Sequence, residues 1–374
     1  MDLSVQAPAA EQGAEARAAF AGLLASFRHR FEGELATYLK AKASSPADLG
    51  SPELAELTEA VGALASEGGK RLRPALVYYT FRACGGTSQA AVFPVCLAVE
   101  LLHTYLLIHD DIMDHAGVRR GQPTAHVRFA HLHRARGLAG DADDFGRSVA
   151  ILTGDLSYAW AVELMTEAAA RGPRGLEVGR CFSALCQEVV GGQYLELLVA
   201  QQRAATEAEL LRVLRLKSGR YSAERPIQLG ALLAGASATA VSGLARYGAA
   251  VGEAFQLQDD LLGMFGDGDT VGKPVDSDLR EGKYTFLIHH ALQQGTAEQR
   301  RILDAALGRP DLSPEETQEA LAVLEATGAR RAVTAMIAER LGLALAALEA
   351  VEGLEAEGRS FLAGLVHHLW ERKR

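Results

Sequence analysis

The sequence predicts an all-α protein. Most segments of the 374-residue chain are rich in Ala, Leu and Glu, and their apolar residues recur at spacings of three and four, as on one face of a helix. Runs of alternating β-branched residues, which would indicate strands, are nearly absent. Together these observations favour helices packed around a common core.

Clusters of Gly, Pro and Asp predict where one helix ends and the next begins. They fall at residues 43–53, 84–89, 134–148, 171–175, 266–278 and 308–316. None resembles a flexible linker, so we expect a single helical domain over residues 16–374, after a disordered tail of residues 1–15. The window Pro226–Ala245 is uncharged, but Gly, Ala, Ser and Thr dominate it, so we expect no membrane span.

Charge and cysteine content exclude several classes of function. The formal net charge is −9, from 38 Lys plus Arg against 47 Asp plus Glu, which leaves no basic excess for nucleic-acid binding. Any anion must therefore be bound by local basic clusters. The four cysteines show neither the spacing of a zinc site nor a disulfide framework, which favours a reducing cytoplasm.

A first group of aspartates ends an apolar helical segment, in the stretch LIHDDIMDHAGVRRG at residues 107–121. If that segment is one helix, Asp110 and Asp114 are spaced i,i+4 and Asp111 and Asp114 i,i+3, so their carboxylates converge on one face. Such a face suits magnesium, which prefers oxygen ligands and often binds one or two carboxylates together with substrate phosphates. The alternative is a solvated helix end, which is common for a lone DDxxD stretch.

Basic clusters close to this face favour a site. Arg119 and Arg120 follow the aspartates directly, and guanidinium groups are the planar partners that phosphates prefer. The stretch GGKRLRP at residues 68–74 has the features of an anion site, since two glycines permit close backbone approach and Lys70, Arg71 and Arg73 supply charge.

A second aspartate pair, Asp259 and Asp260, ends another helical stretch, AVGEAFQLQDDLLGMFGD. Lys273 and Lys283 lie downstream of it, and Lys217 and Ser218 precede a glycine upstream. Each lysine taken alone is best explained as a surface charge. Two apolar helices that both end in Asp-Asp, with basic residues beyond them, form a more specific pattern.

From about Glu67 to Thr285 the chain resembles the trans-isoprenyl diphosphate synthases of the polyprenyl synthetase family. The resemblance rests on GGKRLRP, HTYLLIHDDIMDHAGVRRGQPT, GGQYLEL, KSG and FQLQDDLLGMFGD followed by GKP, in family order. It implies an all-α isoprenoid-synthase fold with a central substrate cavity. It also implies condensation of isopentenyl diphosphate with an allylic diphosphate, namely dimethylallyl, geranyl or farnesyl diphosphate.

The same resemblance implies roles for matching residues. Magnesium would be held by Asp110 and Asp114, with Asp111 in support, and by Asp259 and Asp260. The diphosphate of isopentenyl diphosphate would be bound by Lys70, Arg73, His103 and Arg120. The allylic diphosphate would be bound by Arg119, Lys217 and Lys273, and the developing cation would be faced by Ser218 and Gln256. The chemistry agrees, because magnesium with Arg and Lys can neutralise a departing diphosphate.

Two positions depart from the family pattern. The second motif lacks its third aspartate, because Gly263 stands in that place; the site would then use fewer direct contacts or recruit Asp267. Glu196 replaces the usual aspartate in GGQYLEL. Neither change removes the first metal site.

Product length in this family often depends on residues four and five positions before the first aspartate, here Leu106 and Tyr105. Helix geometry favours Leu106, which lies nearly beneath Asp110. The bulk of Tyr105 resembles short-chain synthases and favours geranylgeranyl diphosphate over farnesyl diphosphate.

Two other functions remain open at this point. A class I terpene cyclase would not need Lys70, Arg73 and Arg120, and a non-catalytic regulatory subunit would tend to lose site residues. The resemblance also implies a homodimer.

Overall fold

The computed structural model describes residues 10–48, 51–172, 174–266 and 277–371, and helices account for nearly all regular structure there. The α-helices are, in chain order, α1 (Ala10–Asp48), α2 (Ala55–Ser66), α3 (Leu72–Ala83), α4 (Gln89–Met113), α5 (Ala125–Ala135), α6 (Ala142–Arg171), α7 (Gly175–Gln202), α8 (Glu207–Val213), α9 (Arg225–Leu233), α10 (Ala238–Phe265), α11 (Ser277–Arg280), α12 (Phe286–Gln294), α13 (Ala297–Ala306), α14 (Pro314–Ala326), α15 (Ala329–Glu349) and α16 (Ala356–Glu371). The predicted all-α class is confirmed.

Three shorter elements complete the described architecture. A 3₁₀ turn at Pro52–Leu54 precedes α2, and a π-helix at Leu214–Glu224 joins α8 to α9. Two antiparallel strands, β1 (Val118–Arg119) and β2 (Gln122–Pro123), form a small hairpin after α4. The hairpin and the π-helix both carry predicted site residues.

The breaks predicted at residues 84–89, 134–148, 171–175 and 308–316 coincide with helix ends, whereas others, such as those after α4, α7 and α9, were not predicted. The N-terminal region differs from the prediction in two ways. α1 continues through Asp48, so the break predicted from residue 43 begins later. Residues 10–15 of the predicted tail belong to α1, whereas residues 1–9 lie outside the described residues.

The acidic loop before α6 has a structural explanation. Asp141 is the N-cap of α6, and its Oδ1 accepts hydrogen bonds from the backbone nitrogens of Asp143 and Asp144 at 2.9 and 2.8 Å. Asp143 also forms an ion pair with Arg134 at 2.7 Å. The aspartates therefore begin a helix, where acidic groups are favoured by its free N–H groups.

The core is built around α4, which packs against α6, while α10 packs against α15 and the π-helix. Aromatic rings join the surrounding helices to it. Tyr79 of α3 stacks on Phe361 of α16 at 4.1 Å, and Phe27 of α1 lies 6.3 Å from Phe93 of α4. These contacts fix the direction of α4 and hence of the aspartates at its end.

The apolar segments differ in how they are buried. The window Pro226–Ala245 is divided between α9, a turn and the start of α10. Helix α4 is long and apolar enough to cross a membrane, but 67% of its most apolar window is buried inside the protein, as in a core helix.

Candidate active site

A cavity of about 720 Å³ lies between the C-terminal ends of α4 and α10. The charged residues and the histidines that line it are Lys70, Arg73, His103, His109, Asp110, Glu196, Lys217, Asp259, Asp260, Asp278 and Lys283. Apolar and aromatic residues line it as well, among them Tyr105, Leu106, Met113, Val189 and Phe255. The cavity thus combines charged groups able to bind diphosphates with apolar surface able to bind a hydrocarbon chain.

The end of α4 separates its three aspartates by role. Asp110 lines the cavity, and Asp114 caps the helix with its backbone nitrogen donating to the Asp110 carbonyl at 2.8 Å. Asp111 is only 2% exposed, and Arg119 Nε donates to its two oxygens at 2.8 and 3.0 Å. Asp111 therefore positions Arg119, whose Nη2 lies 3.9 Å from Asp110 Oδ2.

Asp114 is in an environment that disfavours its charge. Burial and the neighbouring Asp110 raise the pKa of Asp114 to about 6. Its Oδ2 is buried and, within the described residues, has no hydrogen-bond partner. A cation between Asp110 and Asp114 would relieve both conditions.

The end of α10 presents a second crowded carboxylate group. Asp259 and Asp260 both line the cavity, and burial, followed by Asp278 and Asp259, raises the pKa of Asp260 to about 8. Gln256, one turn earlier, donates a hydrogen bond from Nε2 to Asp260 Oδ1 at 2.8 Å. That bond fixes the amide so that its carbonyl oxygen is the end able to face a cation.

The π-helix carries Lys217 and Ser218 into the cavity wall. Lys217 forms an ion pair with Glu196 of α7 and lies 3.7 Å from Asp110 Oδ1. Burial opposes the charge of Lys217, but Glu196 and Asp110 outweigh burial and raise its pKa. Glu196 therefore holds the Lys217 ammonium group beside Asp110.

Close backbone packing explains how α7 can reach this lysine. A Cβ at Gly192 would collide with the backbone of Leu216 and Lys217, so only glycine permits this approach. Glu196 follows Gly192 by four residues and therefore lies on the same face of α7.

A basic subsite forms where α3, α4 and the π-helix meet. Arg73 donates from Nη2 to Ser222 Oγ at 2.9 Å and lies over the Tyr221 ring at 4.3 Å, while its Nη1 is 3.3 Å from His103 Nε2. Since Arg73 can only donate, His103 Nε2 accepts, and Nδ1–H then donates to the Tyr221 hydroxyl at 2.6 Å.

His103 is consequently neutral in this arrangement. Burial and the positive charges of Arg73 and Arg120 hold its pKa well below the usual value. Both ring nitrogens are engaged by protein groups, so His103 positions Arg73 and Tyr221. Within the described residues Arg73 Nε is buried without a hydrogen-bond partner. Its N–H group is therefore available to donate to a bound anion.

The glycine-rich loop at residues 68–71 meets the hairpin. Arg120 Nη1 donates to the Gly68 carbonyl at 2.8 Å, so the two predicted anion-binding segments are joined directly. Burial and the charges of Arg119 and Arg71 lower the pKa of Arg120. Crowded cations of this kind would be stabilised by a bound diphosphate.

Arg71 has a structural role in the same loop. It turns inward to an ion pair with Glu100, donates to Glu32 at 2.8 Å, and also donates to the Ala65 carbonyl at 2.7 Å. Both Arg71 and Arg120 have φ near +51°, an uncommon conformation for residues other than glycine. The loop and the hairpin therefore each contain one residue in an uncommon backbone conformation.

The carboxylates at the ends of α4 and α10 fit a magnesium ion that is also bound by water and substrate phosphate. Within the described residues no three His, Cys, Asp or Glu side chains are close enough to form a protein-only metal site. Magnesium does not require one, because it retains waters and commonly uses one or two carboxylates with substrate phosphates. The crowded carboxylates of α4 and α10 match that requirement.

Some expected residues lie elsewhere. Lys273 and Asp267 fall outside the described residues. The described residues that line the cavity do not include Asp111, Asp114, Arg119 or Arg120. Arg119 instead donates to Asp111, and Arg120 donates to the Gly68 carbonyl. Tyr105 and Leu106 both line the cavity, and the Tyr105 ring packs at 4.6 Å from His109 and 5.2 Å from Tyr158.

The sequence alone did not identify Tyr221, Ser222 or Asp278 as site residues. Tyr221 and Ser222 follow Lys217 and Ser218 by four positions, which was a usable signal. Asp278 offered none, because its position depends on how α11 packs against α10.

Comparison with known proteins agrees with this geometry. Residues 54–324 match the family model described as polyprenyl synthetase. The chain is 36% identical to the geranylgeranyl diphosphate synthase of Methanosarcina mazei over 274 residues, which cover 73% of this chain and 77% of that protein. It is 32% identical to the octaprenyl diphosphate synthase of Escherichia coli over 315 residues, covering 83% and 88%. A geranylgeranyl pyrophosphate synthase from Corynebacterium glutamicum, solved with isoprenyl diphosphate and magnesium, superposes with a TM-score of 0.87 at 32% identity, covering 92% and 98%.

Proposed function

The chain belongs to the polyprenyl synthetase family of prenyltransferases, and we propose that it is a short-chain prenyl diphosphate synthase. It would condense isopentenyl diphosphate with an allylic diphosphate to give geranylgeranyl or farnesyl diphosphate. The observation that carries this proposal is the convergence of two aspartate-ended helices and a separate basic subsite on one cavity.

The allylic diphosphate is assigned to the carboxylate side of the cavity. Asp110 and Asp114, with Asp259 and Asp260, would hold magnesium, which neutralises charge on the departing diphosphate. Lys217 binds that diphosphate directly, since Glu196 keeps it protonated beside Asp110. Arg119, which is held by Asp111, is assigned a second positive charge on the allylic diphosphate. Lys273 is assigned to the same diphosphate by resemblance to the family.

Isopentenyl diphosphate is assigned to the basic subsite. Arg73 and Arg120 supply the guanidinium groups, Lys70 adds an ammonium group, and neutral His103 orients Arg73. Two diphosphates held at separate subsites bring both reactants together, which removes much of the entropy cost of association.

The reaction breaks the allylic C–O bond, and diphosphate leaves with the electron pair. The double bond of isopentenyl diphosphate then forms the new C–C bond to the allylic cation. The released diphosphate accepts the proton that is lost, so no side-chain base is needed. The carbonyl oxygen of Gln256 and the hydroxyl of Ser218 face the cation.

Product length is assigned to the apolar part of the cavity. Tyr105 and Leu106 precede Asp110 on α4 and line the cavity, and the packing of Tyr105 against His109 and Tyr158 restrains its ring. A bulky, restrained aromatic group favours a twenty- or fifteen-carbon product over longer chains.

A homodimer through α6 and α7 is part of the proposal. Exposed apolar residues gather on these two helices, namely Ile151, Leu152, Val162, Leu176, Val190, Tyr194, Leu197 and Leu198. Val190, Tyr194 and Leu197 also line the cavity, so a second copy on this face would close the cavity wall.

The four cysteines are free thiols, which supports a cytoplasmic location.

The proposal is tested by incubating the protein and labelled isopentenyl diphosphate with dimethylallyl, geranyl or farnesyl diphosphate, with magnesium or chelator. We expect magnesium-dependent products that end at fifteen or twenty carbons. If the folded protein condensed isopentenyl diphosphate with none of the three primers, the result would instead favour a regulatory subunit. Cyclic hydrocarbon products would favour a terpene cyclase.

A further inference from the structure

The π-helix that carries Lys217 and Ser218 is held from outside the cavity by a buried carboxylate. Glu253 of α10 is only 4% exposed, and Arg215 Nε donates to its Oε1 at 2.6 Å. Among the described residues, Lys217 lines the cavity and Arg215 does not. The two side chains therefore leave the π-helix in different directions, one towards the substrate site and the other towards α10.

The same carboxylate has a second partner that lies away from the site. Arg340 of α15 donates from Nε to Glu253 Oε2 at 2.6 Å. A buried carboxylate is costly unless charged donors pair with it, and here each oxygen has one guanidinium partner. Glu253 thus joins α10 to both the π-helix and α15.

Two glycines bring the backbones of α10 and the π-helix together beside this ion pair. A Cβ at Gly252 would lie 2.2 Å from the Gly219 carbonyl oxygen, so only glycine permits this approach. Gly219 directly follows Ser218. Gly252 lies directly before Glu253 and one turn before Gln256, which lines the cavity. The contact between the two helices therefore sets the distance between Ser218 and Gln256, the groups assigned to the cation.

We propose that Glu253, which lies outside the cavity wall, acts through Arg215 to fix the first half of the π-helix against α10. Lys217 and Ser218 lie in that half, so Glu253 is a positioning residue for ionisation of the allylic diphosphate. This inference rests on the proposed function. Winding of the π type is rare and mostly confined to a single turn, so a stretch of 11 residues needs support from its surroundings.

The second half of the π-helix is held by a different carboxylate. Glu188 of α7 accepts a hydrogen bond from Arg220 Nη1 at 2.6 Å. Ser222, in the same half, accepts the hydrogen bond from Arg73 of the basic subsite. Loss of the Arg215 contact would therefore release the first half alone, and isopentenyl diphosphate should still bind normally.

A second explanation makes Glu253 only a buried ion-pair partner that stabilises the fold. Arg215 and Arg340 pair with the same carboxylate at the same distance, but only Arg215 belongs to the element that carries Lys217. If Glu253 only stabilises the fold, neither arginine affects the reaction once the protein is folded. If Glu253 positions the π-helix, Arg215 alone does so.

The test is the single-turnover rate of condensation of geranyl diphosphate with labelled isopentenyl diphosphate by the full chain, because this rate excludes product release. Arg215→Gln should lower the maximal rate about 5–30-fold, since a small displacement of Lys217 and Ser218 weakens stabilisation of the transition state. The isopentenyl diphosphate concentration that gives half the maximal rate should stay within about two-fold of wild type, because the basic subsite keeps its charged donors.

Arg340→Gln is the matched variant. It should lower the melting temperature, because a partner of the buried carboxylate is lost. Its maximal condensation rate should stay within a few-fold of wild type. Arg215→Lys keeps a positive charge beside Glu253 and should regain most of the rate lost in Arg215→Gln.

Glu253→Gln removes the charge that both arginines contact, so it should combine the slower condensation with the lower melting temperature. Circular dichroism at the assay temperature checks that each variant is folded. The Arg215 side chain is half exposed, so Arg215→Gln should fold and decides the matter if Glu253→Gln does not.

A wild-type condensation rate in folded Arg215→Gln would overturn the inference. So would equal losses of rate in Arg215→Gln and Arg340→Gln. Either result would leave the proposed function standing, because the wild type would still condense its substrates. A folded wild type that forms no product with any primer would instead contradict the proposed function.

Discussion

The C-terminal ends of α4 and α10 reach similar chemistry by different routes. α4 carries Asp110, Asp111 and Asp114 within five residues, and its neighbours Arg119 and Lys217 are held by local ion pairs. α10 carries only Asp259 and Asp260, and Asp278 of α11 lies against Gly263 beside them. The carboxylates at the end of α4 are consecutive in sequence, whereas those near the end of α10 are brought together by packing.

The difference shows that a motif is a set of positions in space. At α4 even a complete motif is divided, because Asp111 is buried against Arg119 and Asp110 lines the cavity. At α10 a glycine in the motif creates the space that a distant residue fills. Counting aspartates in the sequence therefore misjudges both ends.

The largest expected effect comes from neutralising one aspartate at each end. Asp110→Asn should lower kcat/KM about 10²–10³-fold, because it removes a carboxylate that also orders Lys217 and Arg119. Asp259→Asn should cost less, since Asp260 remains next to it in the cavity wall. Steady-state kinetics at saturating magnesium measures both, with exposed Asp144→Asn as the control. Equal losses at the two ends would contradict the comparison.

Arg73 lies apart from both helix ends and should separate the two substrates. Arg73→Gln should raise the KM for isopentenyl diphosphate about 10–100-fold, because a charged hydrogen-bonding group is lost. The KM for the allylic diphosphate should stay within a few-fold. Initial rates with each substrate varied in turn test this, beside exposed Arg212→Gln. A matched rise in both KM values would refute the separate assignment of subsites.

Product length should respond at the α4 end. Tyr105→Ala removes the bulkier of the two residues before Asp110, so the main product should lengthen by at least one isoprene unit. Tyr105→Phe keeps the ring and should preserve the wild-type length. Chromatography of the products measures the distribution. An unchanged distribution in Tyr105→Ala would exclude this residue as a length determinant.

The smallest expected effect is on stability against pH. The pKa of His103 is lowered in the folded protein. Below pH about 6.5, His103 therefore binds a proton in the unfolded chain but stays neutral in the folded protein. Folding stability should therefore fall as pH decreases from about 6.5. The melting temperature should drop by about 1–3 °C per pH unit more in wild type than in His103→Gln. Exposed His131→Gln serves as the control, and parallel pH curves for wild type and His103→Gln would contradict the neutral assignment.

The sequence predicted the helical class and some of the helix breaks, because these depend on local periodicity and turn residues. The meeting of the two aspartate groups was implied by the family resemblance, since it depends on tertiary packing. It did not predict the π-helix at Leu214–Glu224, since no local preference distinguishes π from α winding there. The inward turn of Arg71 and the contact of Asp278 with Gly263 depend on distant packing partners. The acidic loop before α6 was readable in part, because Asp141 is a residue type typical of an N-cap.

A crystal structure of the wild-type protein with magnesium, inorganic diphosphate and isopentenyl diphosphate tests the central claim most directly. We expect magnesium on Asp110 and Asp114 at α4, and a further ion at α10 beside Asp259. Isopentenyl diphosphate should lie against Arg73 and Arg120. Absence of magnesium from both helix ends, or isopentenyl diphosphate bound away from Arg73 and Arg120, would contradict the assignment of two diphosphate subsites.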